Sequence, residues 1–305
     1  MSAPTTSMPA PLSKGAVFLR RLFSFVILWT VVVAGLFSGY KLLSDYVFLG
    51  IISFLAVTGL LEFYGMARKL GYACFPKFGV FGGLLMIFAT FVYISGDFGR
   101  AATPSRMNDF ETCFFIIFVL GLCIRQFISR EVNTGIVAIS VTLFGILYVP
   151  WLLNYIQKIN FFGQQAVQGK WYVLYFVLVT KLSDCGAYAV GSLIGKHKMI
   201  PRISPGKTWE GFGGAIVVST AASVIFARVA GSHLMGMTLR HSIILGVILS
   251  VAAVVGDLIE SLFKREAGLK DSGHLFPGIG GILDLLDSLL FNAPLMYLYL
   301  RHILT

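Results

Sequence analysis

Carboxylate, hydroxyl and ammonium side chains recur at helical spacing near the C-terminus. Asp257, Ser261 and Lys264 are spaced i, i+4, i+7, so a helix would present them on one face. Asp284 and Asp287 are spaced i, i+3 and share a face of the next apolar run. Clustered carboxylates repel one another unless a cation is present, and hard oxygen ligands suit Mg²⁺. The pattern predicts a magnesium site. Because there are more carboxylates than one Mg²⁺ ion needs, binding of a second metal ion remains an alternative.

The residues around this acidic group are suited to phosphate. Lys264 and Arg265 match polyphosphate oxygens. The loop KDSGHLFPGIGG, residues 270–281, ends in Gly280 and Gly281 directly before the next apolar run. A glycine backbone can approach a phosphate closely, and a helix N-terminus favours negative charge. We therefore expect a combined metal and phosphate site at this loop.

Two upstream segments carry further polar groups. Lys181, Asp184 and Tyr188 are spaced i, i+3, i+7 inside an apolar run, where a charge costs about 2.5–3.5 kcal/mol and calls for a partner or water. The alternative for the first two is an ion pair that only neutralises itself. Residues Ile203–Gly211 contain hydroxyl and lysine groups that would bind phosphate or, alternatively, cap a helix and contact lipid headgroups.

The elements that must position these groups are membrane spans. Hydrophobic residues make up 57% of the 305 residues and charged residues 12%, with a mean hydropathy of +0.83. This composition excludes an ordinary soluble domain and predicts an all-α integral membrane protein with nine transmembrane helices. The first run is interpreted as an uncleaved span rather than a signal peptide. The nine runs are Leu22–Ser38, Tyr46–Tyr64, Phe78–Ser95, Phe114–Ile128, Gly135–Tyr155, Tyr172–Ile194, Phe212–Val229, Ser242–Phe263 and Ile282–Leu300.

The distribution of Lys and Arg predicts orientation. With the N-terminus in the cytoplasm, 15 of the 24 basic residues fall on the cytoplasmic side and 8, including Lys158 and Lys170, on the other. The net charge of +10 is thus interpreted as topology, not as nucleic-acid binding. We expect a disordered tail over residues 1–16, N-terminal transmembrane helices over 17–170 and a catalytic transmembrane region over 171–305.

The motifs resemble those of a known family. The run SLFKREAGLKDSGHLFPGIGGILDLLD, Ser261–Asp287, is similar to the C-terminal signature of the phosphatidate cytidylyltransferases. Residues Ser183–Tyr188 and Ile203–Gly211 resemble two other segments of that family, so the likeness covers about residues 183–292. Two positions depart from the family pattern: Ile279 stands in place of a histidine, and Leu285 in place of an arginine. They leave open an inactive or substrate-shifted member.

The resemblance implies a Mg²⁺-dependent transfer of CMP from CTP to phosphatidic acid, giving CDP-diacylglycerol and pyrophosphate. It implies an active site at the cytoplasmic face of a bacterial inner membrane, with a homodimer left open. The implied metal ligands are Asp257, Asp284 and Asp287. The implied catalytic residues are Asp257, Ser261, Lys264, Arg265, Asp284 and Asp287. The implied substrate-binding residues are Asp184, Tyr188, Ser204, Lys207, Thr208, Lys270, Asp271, Gly280 and Gly281.

Other classes of membrane protein compete with this interpretation. CTP-dependent polyprenol or dolichol kinases would release CDP instead of pyrophosphate. CDP-alcohol phosphotransferases are disfavoured because their D-G-x-x-A-R run is absent. A transporter would use the intramembrane charges of Lys181, Asp184 and Asp257. Transport requires polar groups across the whole membrane depth, whereas the sequence predicts nearly apolar extracellular halves of the spans.

Overall fold

Eight long apolar helices make up most of the part of the chain that the structure describes. The computed structural model describes residues 30, 37, 40–95, 104–129, 133–162, 166–273 and 280–304. Within these ranges eight helical stretches of 20–28 residues are long and apolar enough to cross a membrane, and they match eight of the nine predicted runs. This confirms an all-α integral membrane protein. The predicted tail, 1–16, and all but residues 30 and 37 of the first predicted span lie outside the described residues.

The helices have the following bounds. They are α1 (Lys41–Lys69), α2 (Pro76–Ser95), α3 (Pro104–Ile128), α4 (Gly135–Ile146), α5 (Leu152–Asn160), α6 (Ala166–Ile194), α7 (Trp209–Ala230), α8 (Leu239–Glu266) and α9 (Ile282–Tyr299). A π-helical segment, Leu147–Trp151, joins α4 and α5 into one span, and a second, Leu300–Leu304, extends α9. The first π segment contains Pro150, which lacks the N–H that a regular helix needs.

Helix α9 lies at the centre of the bundle and α3 at its edge. In the most apolar 18-residue window of each span, 61% of residues are buried for α9 and 22% for α3. The larger of two hydrophobic core clusters among the described residues runs from α1 through α5 and α6 to α9, so it crosses the predicted boundary at residue 170. The division into an N-terminal and a catalytic region therefore stays a prediction about function rather than about packing.

The ends of the helices define two faces of the bundle. Helices α1 and α8 end at one face, where the hydroxyl of Tyr72 donates to Glu266 at 3.1 Å. This hydrogen bond raises the pKa of the Tyr72 hydroxyl. Helices α2 and α9 begin at the same face because they run antiparallel to α1 and α8. We call this face the site end and the other face the far end.

The far end contains buried ion pairs that the sequence analysis did not predict. Lys158 of α5 lies 2.5 Å from Glu111 of α3, and both side chains are at least nine-tenths buried. Lys170 of α6 donates to Ser44 at 2.7 Å and lies 4.0 Å from Asp45. The expectation of nearly apolar far halves is therefore wrong, because lysines that were assigned to loops lie inside helices beside carboxylates.

A two-stranded antiparallel hairpin links α6 to α7 and supplements the all-α fold. Strand β1 (Lys198–Ile200) pairs with β2 (Ser204–Thr208), with Lys198 opposite Thr208 and Ile200 opposite Ser204. The strands are short, and β2 contains Pro205 and Gly206, which are uncommon in strands. The hairpin lies at the site end, because it follows the C-terminus of α6.

Candidate functional site

Three carboxylates from α8 and α9 converge at the site end. The two helices touch at Gly256, where a Cβ atom would lie 2.5 Å from the carbonyl oxygen of Asp287. This approach brings Asp257, Glu260 and Asp287 together, with one oxygen of each within 4.8 Å of the others. Glu260 is fully buried, and its Oε1 has no hydrogen-bonding partner among the described residues. Carboxylates this close favour a cation, and a set of oxygen donors fits Mg²⁺.

Two lysines from different elements border this carboxylate cluster. Lys207 Nζ of the hairpin lies 2.9 Å from Asp257 Oδ2. Lys264 Nζ lies 2.5 Å from Glu260 Oε2 and 2.5 Å from Asp284 Oδ1, so it joins the cluster to the first turn of α9. Their positive charge offsets part of the carboxylate charge and would also attract phosphate oxygens.

Helix α6 adds a second polar group beside α9. Lys181 Nζ lies 3.5 Å from Asp184 Oδ2, as its spacing predicted. The same ammonium donates to the Leu285 carbonyl at 2.9 Å and to the Ser288 hydroxyl at 3.1 Å. Ser288 in turn donates to Asp184 at 3.2 Å. The pair therefore does more than neutralise itself, because it also fixes α6 against the first turns of α9.

Asp284 is engaged at the N-terminus of α9. Its Oδ2 accepts hydrogen bonds from the backbone N–H of Gly281 at 2.7 Å, and from the N–H and hydroxyl of Ser272 at 2.9 and 3.0 Å. Its Oδ1 meets Lys264. The structure thus places this predicted metal ligand one helical turn before Asp287, with both of its oxygens already bonded within the chain.

A cavity of about 490 Å³ opens beside the carboxylate cluster between α6, α7, α8 and the hairpin. Its wall combines one member of the cluster with all five upstream residues predicted to bind substrate. The predicted residues that line it are Asp184, Tyr188, Ser204, Lys207, Thr208 and Asp257. Because Tyr188 is 79% exposed, the cavity is open on the α6 side.

The hairpin is tied to α7 and α8 on both sides of the cavity. Lys207 also donates to the Val254 carbonyl at 3.0 Å. The Thr208 hydroxyl caps the N-terminus of α7, as the alternative for this segment expected. Arg265 donates from Nε to the Ile203 carbonyl at 3.1 Å. The exposed Arg265 therefore holds the hairpin from outside and does not join the carboxylates.

The remaining predicted residues differ in how close they lie to the cluster. Ser261 donates to Asp257 at 3.3 Å and so contacts the cluster directly. Lys270 and Asp271 are exposed on the loop after α8, and among the described residues no contact joins their side chains to the cluster. Gly280 has φ of 108°, a conformation that favours glycine.

Sequence reasoning missed two carboxylates that the structure brings to the site. Glu260 follows Asp257 by three residues and precedes Lys264 by four, so helical spacing could have placed it beside both. Glu62 lies inside an apolar run, near its C-terminal end, and an ionisable residue within such a run is itself a signal of function. Its carboxylate accepts from the first two backbone N–H groups of α9. Of the two departures from the family pattern, Leu285 supplies a carbonyl acceptor, and residue 279 lies outside the described residues.

Comparison with known proteins gives the site a context. A family model described as the cytidylyltransferase family matches residues 19–303. A phosphatidate cytidylyltransferase of Mycobacterium bovis is 32% identical over 219 residues, which are 68% of this chain and 67% of that protein. One of Mycobacterium tuberculosis is 32% identical over 219 residues, 68% of this chain and 62% of that protein. One of Staphylococcus aureus is 44% identical over 142 residues, 46% of this chain and 53% of that protein. The chain thus matches between about half and two thirds of each relative's length.

Proposed function

This chain belongs to the cytidylyltransferase family, and we propose that it transfers CMP from CTP to phosphatidate in phospholipid biosynthesis. The products would be CDP-diacylglycerol and pyrophosphate. The observation that supports this most is the convergence of Asp257, Glu260 and Asp287 beside two lysines at the wall of a cavity. Such a site suits a reaction in which all the reacting groups are phosphates.

The reaction joins two phosphates without a covalent enzyme intermediate. A phosphate oxygen of phosphatidate forms a bond to the α-phosphorus of CTP, and the bond from that phosphorus to the bridging oxygen of the β-phosphate breaks. Pyrophosphate leaves with the electron pair of that bond. Because the phosphatidate phosphate is already an anion at neutral pH, the residues of the site need not remove a proton. Their task is to position two anions and to reduce the repulsion between them.

The residues of the site would have different roles in this task, according to their charge and position. Asp257, Glu260 and Asp287 would hold Mg²⁺, which when bound supplies positive charge to the phosphate oxygens. Lys207 lines the cavity and would contact the triphosphate or the lipid phosphate. Lys264 would keep Glu260 and the first turn of α9 in place. The hydroxyls of Ser204 and Ser261 remain proposed phosphate contacts.

The orientation of the site follows from where its substrates come from. CTP is dissolved in the cytoplasm and phosphatidate lies in the bilayer, so we expect the site end to face the cytoplasm of a bacterial inner membrane. A cysteine placed at the exposed His197, in a variant without the four native cysteines, should react with an impermeant thiol reagent in inside-out vesicles. Reaction only in right-side-out vesicles would reverse the orientation. A homodimer stays a prediction, which the mass of the detergent-solubilised protein would test.

An assay of purified protein tests the proposed activity. Detergent-solubilised wild type with CTP, phosphatidate and Mg²⁺ should yield CDP-diacylglycerol and pyrophosphate, whereas a CTP-dependent lipid kinase would yield CDP. Asp287→Asn should lose activity by at least about a hundredfold, because it removes one of the clustered charges. Asp109→Asn, which changes an exposed carboxylate near the start of α3, is the matched control and should keep full activity. No CDP-diacylglycerol from the wild type would refute the proposal.

A further inference from the structure

Glu62 joins the first described helix to the last. It lies two turns before the end of α1 and is half-buried. Its Oε1 accepts from the backbone N–H of Ile282, and its Oε2 from that of Leu283, both at 2.9 Å. Oε2 also lies 2.9 Å from the hydroxyl of Ser272, whose single hydrogen it shares with Asp284 Oδ2. One carboxylate therefore binds three donors, two at the N-terminus of α9 and one in the loop before it.

These contacts lie at the N-terminus of α9, where backbone N–H groups lack hydrogen-bond acceptors within the helix. The first N–H groups of a helix have no partner within it, and the helix dipole concentrates positive charge there. Asp284 caps the N–H of Gly281 from within α9, and Glu62 caps the next two N–H groups from another helix. Together these two carboxylates occupy the N-terminus of α9, where the sequence predicted that a phosphate binds.

The described ends of the loop, at Gly273 and Gly281, lie close to the Glu62 carboxylate. A Cβ atom added at Gly273 would lie 2.3 Å from Glu62 Oε1, and one added at Gly281 would lie 2.4 Å from Oε2. No real Cβ atom tolerates such distances, so both positions need glycine for the carboxylate to enter. The glycines thus make room for a side chain of the protein itself.

From these contacts we infer that Glu62 is a positioning residue for the cytidylyl transfer and acts by fixing the first turn of α9. That turn carries Asp284 to Lys264, and Asp287 follows one turn later beside Asp257. A shift of the turn would move Asp287 away from the carboxylates of α8. The inference rests on the proposed function for its catalytic part, whereas the capping of α9 stands on the contacts alone.

Hydrogen exchange and kinetics of Glu62→Gln in the detergent-solubilised full chain test the inference. The glutamine keeps the size of the side chain but offers one acceptor oxygen for three donors. Amides of residues 280–287 should exchange at least about tenfold faster than in wild type without any substrate. The kcat should fall by about ten- to a hundredfold, and the Mg²⁺ concentration for half-maximal activity should rise. Glu62→Asp, which keeps the charge, should recover part of both effects and provides a second variant if the glutamine does not fold.

Glu111→Gln is the matched control for this experiment. It removes the charge of another carboxylate that joins two elements, but at the far end of the bundle, so it should destabilise the protein without changing kcat. Unchanged exchange over residues 280–287 in Glu62→Gln would overturn the inference, as would faster exchange with wild-type kcat and Mg²⁺ dependence. An inactive wild type would instead refute the proposed function, and the exchange measurement would still decide whether Glu62 holds α9.

Discussion

At the residue scale, Glu260 connects the carboxylate cluster to Lys264. Its carboxylate lies with those of Asp257 and Asp287, and the same group contacts Lys264. A buried carboxylate is costly unless a cation is near it. Lys264 meets that need on one side, whereas Oε1 has no hydrogen-bonding partner among the described residues and would be available to a cation held by Asp257 and Asp287.

Glu260→Gln should therefore weaken the binding of Mg²⁺ rather than abolish folding. The amide keeps the size of the side chain and loses the charge that a metal would share. We expect the half-saturating Mg²⁺ concentration to rise by about tenfold or more. A Mg²⁺ titration of initial rates checks this, with Asp109→Asn as the control. An unchanged titration curve would show that Glu260 serves Lys264 alone.

Spacing along single helices predicted part of this residue set. The structure places Asp257 near Asp287 and Lys181 near Asp184. Helical spacing and the antiparallel order of consecutive spans were enough to predict both proximities. Which carboxylate oxygen each donor contacts depends on the loop before α9. The spacing of residues along a helix does not predict the contacts of that loop. For this reason the sequence could not show that the loop and Lys264 engage Asp284.

At the element scale, the contact between α8 and α9 determines the geometry of the site. Both helices were predicted from apolar runs of spanning length. Their closest approach was not predicted, because it depends on which face of each helix turns inward. Gly256, immediately before Asp257, lets the helices meet backbone to backbone. The hairpin was missed because three- and five-residue strands with Pro205 and Gly206 carry no alternating pattern.

Gly256→Ala should reduce activity with little effect on the helices themselves. The new methyl group would lie 2.5 Å from the Asp287 carbonyl, so α9 must move away from α8. A displacement of about 1 Å at reacting groups costs about a hundredfold in rate, which initial-rate assays would detect. Gly50→Ala, in α1 with nothing within 4 Å of its added Cβ, should keep full activity. Equal rates for the two variants would contradict the prediction.

At the scale of the whole molecule, polar groups lie at both ends of the bundle. The site end carries the cluster and the cavity, while the far end carries the Glu111–Lys158 pair packed against Tyr155. The positions of eight spans followed from hydropathy. Hydropathy did not predict the ion pairs at the far end, because it assigns a lysine near the border of an apolar run to the adjoining loop.

Lys158→Met should lower stability and leave catalysis unchanged. The substitution leaves Glu111 buried without its cation, which costs about 3–5 kcal/mol. Thermal or denaturant unfolding in detergent measures the loss, and the rate per folded molecule should equal that of wild type. Lys77→Met, at an exposed position, should change stability by no more than about 0.5 kcal/mol. Equal stability of the two variants would show that the ion pair contributes nothing.

The contact between Glu62 and α9 also bears on how the protein is made. The two partners are about 220 residues apart, and α9 is the last long helix that the structure describes. Residue 62 therefore leaves the ribosome long before the amides that it caps have been synthesised. Fragments that end before α9 would enter the membrane with Asp257 and Glu260 but without Asp287 or the capped turn. Catalytic competence would then arise only after α9 has been synthesised and has inserted beside α1.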